Sequence, residues 1–425
     1  MVRKFDIMPV HAGTLLGEQQ LHAIIGDYLE ALETLGATRV DDIAPPADPR
    51  PLVFLVATGG SEKVILNAWT ERRRAAPDEP LLLIAHPRNN SLPAALEVLA
   101  RLQQDGNTGR IFYLSRPDDQ DGLDELADAL HDLSVRRALR KARVGLVGIP
   151  SDWLVASMPD AETVRETWGP TVVKIEMDDV VSEVEGVSTD DAVSHVDELV
   201  SSASEVCEPT ISELQDVARV YRALARIVED HRLDALTVRC FDFVEQLRTT
   251  GCFALAQLTD AGVIAGCEGD LVSTVGLLWA QKLLGVTPWM ANPAQLDPAG
   301  NRLCLAHCTV PRSLVEDYRL RSHFESGLGV GIQGTLPTGP VTVFRIGGRK
   351  LERLWLAEGE ILRAGDAENL CRTQVEIRLD RGGAVTDLLR APLGNHLVLI
   401  FGRHFDRLRA WCEGTGIELV VSEAH

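Results

Sequence analysis

Short apolar runs alternate with longer stretches of helical periodicity over the first third of the chain. Phe5–Val10, Leu52–Ala57, Leu81–Ala85 and Ile111–Leu114 read as strands; Glu18–Leu35, Glu62–Thr70, Leu92–Gln104 and Leu123–Lys141 read as the helices between them. Such alternation favours a parallel sheet with right-handed crossovers. Residues 1–142 are therefore predicted to form an N-terminal doubly wound α/β domain. A second alternation runs through Val144–Ile149, Val172–Met177, Ile211–Asp230, Ala235–Val238, Val263–Cys267 and Leu271–Leu284, and predicts a central α/β domain over 143–288. Within it, acidic Asp178–Glu208 reads as surface helices, with a helix start at Ser188-Thr189-Asp190-Asp191. After Pro288 the period changes. Val341–Ile346, Arg353–Leu356, Gln374–Leu379 and Leu397–Phe401 are strand-like, separated by turns such as Gly347-Gly348 and Arg381-Gly382-Gly383. This predicts a β-rich, barrel-like C-terminal domain over 289–425, closed by a helix Phe405–Glu413 and a strand Ile417–Val421. The predicted fold class is α/β: two doubly wound domains followed by a β-rich one.

Composition narrows the partners. The formal net charge is -20, which argues against nucleic acid and against an anionic membrane surface. Aromatic residues are only 5%, too few for a dominant base-stacking surface. No run of about 20 apolar residues predicts a membrane helix, and Met1–Asp6 lacks an apolar signal core. The eight cysteines are scattered without a CxxC pair and read as reduced thiols of a cytoplasmic protein.

The informative chemistry lies between Arg239 and His307, with an outlier at His396. In Val263-Ile264-Ala265-Gly266-Cys267-Glu268-Gly269-Asp270, a small apolar strand ends in two carboxylates where a helix begins. The carboxyl end of a parallel strand is where α/β sheets place ligands. Asp270 suits a helix N-cap, whereas Glu268 lies before the cap and points to function. Trp289-Met290-Ala291-Asn292-Pro293 and Leu303-Cys304-Leu305-Ala306-His307-Cys308 are apolar runs that reach a polar residue able to bind a metal. His396 enters another apolar run. Each histidine alone also reads as a satisfied core residue. Together Glu268, Asn292, His307 and His396 form a mixed N/O set suited to Mn²⁺ or a related divalent metal. Arg239 could hold an anionic or polyhydroxyl substrate, or pair with Asp242. Thr58-Gly59-Gly60-Ser61-Glu62 opens a helix but matches neither the dinucleotide nor the P-loop pattern. No Gly-x-Ser-x-Gly elbow is present. His11 and His86 follow strands of the first domain and read as structural or solvated.

Several of these stretches carry a family resemblance. Val238-Arg239-Cys240, Leu258-Thr259-Asp260-Ala261-Gly262, Cys267-Glu268-Gly269-Asp270 and Leu305-Ala306-His307-Cys308 resemble the L-fucose/L-arabinose isomerase superfamily, in its shorter, divergent fucose-isomerase-like branch. Asn89-Asn90-Ser91-Leu92-Pro93-Ala94-Ala95-Leu96-Glu97 and Gly148-Ile149-Pro150-Ser151-Asp152-Trp153-Leu154 extend the resemblance to the first domain and the opening of the second. The resemblance implies two Rossmann-like domains before the β-rich one. It also implies a cytoplasmic homo-oligomer, usually a trimer or hexamer, that isomerises an aldose to a ketose through an enediol with a divalent metal. By position, Glu268 matches the family's first metal-binding carboxylate, which also serves as acid or base. His396 matches the late histidine ligand, and His307 a histidine that binds metal in arabinose isomerases. Arg239, Asn90 and Trp153 become the expected substrate contacts.

Asn292 departs from the pattern, since fucose isomerases carry a second metal-binding Asp there. An amide oxygen can coordinate a metal but cannot accept and return a proton at neutral pH. Either Asp270 or Asp297 substitutes as the second catalytic carboxylate, or the catalytic pair is lost. The first outcome predicts an isomerase with Glu268 and Asp270 catalytic, acting on a monosaccharide or a modified sugar such as a sulfonated or deoxy hexose. The second predicts a non-catalytic sugar-binding or regulatory protein. A metal lyase or epimerase on the same scaffold is a third reading.

Overall fold

The computed structural model describes residues 4–12, 17–42, 50–77 and 79–421. The chain divides into two compact units, Met1–Val135 and Arg136–His425.

The first unit holds strands β1 (Phe5–Val10), β2 (Ala37–Arg39), β3 (Leu52–Val56), β4 (Leu81–Ala85) and β5 (Gly109–Tyr113) in one sheet of order β2-β1-β3-β4-β5. All its pairings are parallel. β3 and β4 are apolar at every position and buried throughout, as strands covered on both faces must be. One apolar cluster gathers Phe5, Ile25, Leu29 and Leu55. A second gathers Val56, Ile65, Trp69 and Val98.

The second unit opens with β6 (Arg143–Val147), β7 (Thr171–Ile175), β8 (Glu205–Val206), β9 (Ala235–Val238) and β10 (Ile264–Cys267). β10-β9-β6-β7 form a second parallel sheet. The remaining strands are β11 (Trp289–Asp297), β12 (Arg302–His307), β13 (Asp317–Arg321), β14 (Gly331–Thr335), β15 (Gly339–Gly347), β16 (Arg353–Gly365), β17 (Thr373–Gly382), β18 (Leu397–Phe401) and β19 (Glu418–Val420). Antiparallel pairing in the order β15-β18-β11-β12-β17-β16 closes on itself through β15 and β16, making a barrel, and β19 adds to β16 in parallel. Alternate residues fill its interior, among them Trp289, Ala291, Leu303, Leu305, Val343, Ile377, Leu397 and Leu399. The parallel sheets followed by a barrel agree with the predicted fold class.

One helix joins sheet to barrel. Leu271–Leu284 leaves β10 and is buried without a break from Leu271 to Ala280. A helix apolar all round belongs in an interior. This one contacts β9 and β10 on one side and β11, β15 and β18 on the other. Gly276 permits the close approach, since a Cβ there would lie 3.2 Å from the Phe344 ring. No helix among the described residues is long and apolar enough to cross a membrane.

The structure differs from the pattern-based reading in the barrel. β16 extends to Gly365, well beyond Leu356, because its polar Glu358 is buried and accepts a hydrogen bond from the Phe405 N–H at 2.7 Å. β8, β13 and β14 form a small separate sheet that the pattern does not announce. β13, Asp-Tyr-Arg-Leu-Arg, is mostly charged, and β8 has two residues.

Gly359 lies at a register shift between β16 and β17, and a Cβ there would sit 2.2 Å from the Arg378 carbonyl oxygen. A backbone atom cannot yield as a side-chain end can. Gly359→Ala is expected to destabilise the protein by about 1–3 kcal/mol, read as a lower denaturation midpoint. Gly186→Ala, where nothing stands within 4 Å of the new Cβ, should leave the midpoint unchanged or raise it.

Candidate functional site

The site is built on the turn between β10 and the buried helix. Glu268 (φ +64) and Gly269 (φ +71) both adopt the left-handed conformation. For Glu268 this is strained backbone, of order 1–3 kcal/mol, a feature that clusters at functional sites. Gly269 is required, because a Cβ there would meet the Pro150 Cα at 2.8 Å and the Ile149 carbonyl oxygen at 2.9 Å. The 148–154 loop therefore closes over the turn, and the Ser151 N–H donates to the Glu268 carbonyl at 2.9 Å. The Gly269 N–H in turn donates to the Val238 carbonyl at 2.9 Å.

The Glu268 side chain is almost buried. Trp153 Nε1–H donates to its Oε2 at 2.6 Å, and His396 Nε2 lies 3.3 Å from its Oε1. Burial alone would raise its pKa, but His396, then His307 and Trp153, outweigh burial and bring it to about 2. The group is a carboxylate at any ordinary pH.

Asp270 is fully buried and completely engaged. Its Oδ1 accepts the Ser273 N–H at 2.8 Å, capping the helix. Its Oδ2 accepts from Ser273 Oγ at 2.8 Å, Arg345 Nη1 at 3.1 Å and His396 Nδ1 at 2.9 Å. Arg345, on β15 and 1% exposed, also bonds Ser273 Oγ and donates to Ser157 Oγ at 2.6 Å. Gly394 (φ +149) makes room for it, since a Cβ there would overlap the guanidinium. Burial works against the charged Asp270, yet Arg345 and His396 hold its pKa far below the usual carboxylate range. His396 is also fully buried. Burial would lower its pKa, but the two carboxylates raise it to about 9, so it is an imidazolium bridging Asp270 and Glu268.

His307 ends β12, with its ring 5.6 Å from that of His396. Burial and then the charge of His396 press its pKa down to about 3, so it is neutral. Glu268, His307 and His396 each offer one ligand-capable atom within 4.8 Å of the others. Asn292 lies on the strand between the two histidine strands. It pairs with Ala306, next to His307, and follows Ala291, which pairs with Leu397, next to His396. Its Oδ1 is buried with no hydrogen-bond partner among the described residues. An orphaned buried amide oxygen on a strand whose neighbours lead to both histidines suits a hard or borderline divalent cation.

The other expected residues are placed as follows. Trp153 is half-exposed and packs edge-on against Phe241 at 5.0 Å. Arg239 is saturated, with bonds to Asp242 (3.0 Å), the Pro150 carbonyl (3.0 Å) and both oxygens of Asp152 (3.2 Å). It pins the loop that carries Trp153. Asn90 belongs to the first unit, where it is exposed and N-caps the helix Ser91–Gln104 in a left-handed conformation. Asp297 is ion-paired with Arg302 at 2.7 Å. His86 is buried under Tyr28 with Nε2 3.2 Å from the Ala57 carbonyl oxygen. Sequence reasoning missed His323 and Phe241. His323 is buried, stacks edge-on against Phe241 at 5.6 Å and feels the charge of Glu268; burial and Arg372 lower its pKa to about 4. It follows a charged strand, so no apolar pattern marked it. All eight cysteines are free, and Cys240 and Cys267 lie with Sγ atoms 3.1 Å apart beside the turn. A cavity of about 300 Å³ elsewhere in this unit is lined by Asp297, Arg302, Arg363 and Glu376, whose charges already pair with one another.

No family model matches the chain. Curated relatives do. The chain is 24% identical over 382 residues to a sulfoquinovose isomerase of Clostridium sp. (strain MSTE9), covering 84% of this chain and 80% of that protein. It is 21% identical over 300 residues to the sulfoquinovose isomerase of Priestia aryabhattai and 20% identical over 296 residues to that of Alkalicoccus urumqiensis, each covering 68% of this chain and 67% of the relative. The likeness is thus to sugar isomerases.

A second carboxylate that orients a ligand histidine is worth about 10–100-fold in metal affinity. Asp270→Asn is therefore expected to weaken Mn²⁺ binding by about that factor, measured calorimetrically on protein shown by circular dichroism to be folded. Unchanged affinity would reduce Asp270 to a helix cap.

Proposed function

We propose that this protein is a divalent-metal-dependent aldose–ketose isomerase of the fucose/arabinose isomerase type, with sulfoquinovose, a sulfonated hexose, as its first candidate substrate. The observation that carries the reading is the Glu268–His396–Asp270 chain at the carboxyl end of β10. Its chemistry is that of a carboxylate–histidine–metal triad. The sulfoquinovose isomerase relatives supply the substrate class. Glu268 and His396 would hold the metal, with Asn292 and His307 the other polar groups of the cluster, and the mixed N/O set favours Mn²⁺.

When bound, the metal polarises the sugar oxygens and acidifies the intervening C–H. The chain's own residues do the rest. Among the described residues the Glu268 oxygens meet only Trp153 and His396, whereas both oxygens of Asp270 are held, by Ser273, Arg345 and His396. Glu268 takes the proton from C2 and returns it to C1 on the same face of the enediol, as a single base can, while the O2–H proton passes to O1 and the carbonyl thereby moves from C1 to C2. Trp153 fixes its Oε2, and Phe241 packs edge-on against both Trp153 and His323. Asp270 is a positioning residue in this scheme, fixing the His396 tautomer without touching the sugar. Arg239 positions the 150–153 loop. A cytoplasmic trimer or hexamer belongs to the same reading.

Asn292 favours one alternative, a sugar-binding protein without turnover, because no second proton carrier stands at that position. Solvent deuterium exchange separates the two. With Mn²⁺ present, label is expected to enter C1 or C2 of sulfoquinovose and to stop on chelation. Glu268→Gln should slow exchange by at least about 10²-fold. Tight Mn²⁺ and sugar binding with no label in any sugar would establish the non-catalytic alternative.

A further inference from the structure

We propose that His307 is a hydrogen-bond donor to a sugar oxygen rather than a metal ligand, and that the Asn292 amide oxygen is the third protein donor to the metal. The assignment rests on the isomerase reading above and deepens it. The two histidines of the cluster are anchored through Nδ1 in opposite senses. His396 gives its Nδ1–H to Asp270 at 2.9 Å, so Nε2, once its proton leaves, is the atom available to a metal. His307 has the reverse arrangement, because its Nδ1 accepts the Thr309 N–H at 3.1 Å. That lone pair is used. A neutral imidazole carries one N–H, which must then sit on Nε2. A proton on Nδ1 would face the Thr309 N–H, and the Thr309 carbonyl is already taken by Trp289 Nε1–H at 2.6 Å. Neither nitrogen of His307 therefore has a lone pair to give a metal.

The register points instead to Asn292, which continues the pairing of Ala291 with Leu397 toward His396. Its buried, unpartnered Oδ1 is an acceptor-only atom, on the strand flanked by both histidine strands. A carboxylate, an imidazole and an amide oxygen leave open positions for two sugar oxygens. A neutral N–H on the His307 ring, 5.6 Å from the ring of His396, suits the oxygen that gains charge as the enediol forms. Removing such a donor lowers turnover by about 10²–10³-fold.

The test uses the full chain and Mn²⁺ alone, titrated calorimetrically, with His307→Gln, His307→Leu, Asn292→Leu and His396→Gln. The side-chain amide of Gln can restore a donor near the Nε2 position; Leu cannot. Both His307 variants are expected to keep Mn²⁺ affinity within about threefold of wild type, whereas Asn292→Leu and His396→Gln lose about tenfold or more. With sugar present, His307→Leu should lose about 10²-fold in kcat and His307→Gln recover part of it. Loss of Mn²⁺ affinity in both His307 variants, with Asn292→Leu unaffected, would overturn the assignment while leaving the isomerase reading intact. Full kcat in His307→Leu would overturn the donor role. Wild-type protein that binds no Mn²⁺ would overturn both the assignment and the reading beneath it.

Discussion

Asp270 is the point on which fold and site both depend. It is one buried carboxylate with four hydrogen bonds, drawn from a helix start, the Arg345 of β15 and the His396 that just precedes β18. Breaking a buried ion pair by removing one partner is severely destabilising, since the remaining charge stays out of water. The barrel must therefore seat two of its strands against the first turn of the buried helix. The charges of the cluster cancel: Arg345 and imidazolium His396 face Asp270 and Glu268. A divalent cation that displaces the His396 proton leaves one net positive charge, matched to the single negative charge an enediolate develops.

The rest of the site is preorganised by backbone. Left-handed Glu268 is held by the loop that Gly269 alone permits, and Arg239 fastens that loop from below through Pro150 and Asp152. Holding reacting groups on such over-determined turns is how a site keeps its geometry without relying on the substrate. The neutral histidines follow from burial, whereas the carboxylates stay ionised in spite of it because His396 and Arg345 face them.

Much of the architecture was legible. β3 and β4 are unbroken apolar runs, and the helix Leu271–Leu284 is apolar on every side, so pattern alone marks them as interior. β13 and the far half of β16 were not legible, because their polar residues are satisfied by partners distant in the chain. Glu268, Asp270, His307 and His396 stood out as polar residues bounding apolar runs, but their roles did not. The engagement of Asp270 depends on Arg345, 75 residues downstream, and the His307 tautomer on a single backbone N–H. Arg239 was foreseeable as a partner of nearby Asp242, whereas Asp152 lies 87 residues away.

Counting protons during metal binding decides whether the buried cluster is a metal centre built on His396. Apoprotein is titrated with Mn²⁺ at neutral pH in two buffers of different ionisation enthalpy. His396, raised to about 9 by its two carboxylates, must surrender its Nε2 proton, whereas Glu268, at about 2, and His307, at about 3, hold none to release. About one proton should therefore leave per ion bound. Binding without proton release would contradict the account, because the metal would then not be taking the His396 nitrogen.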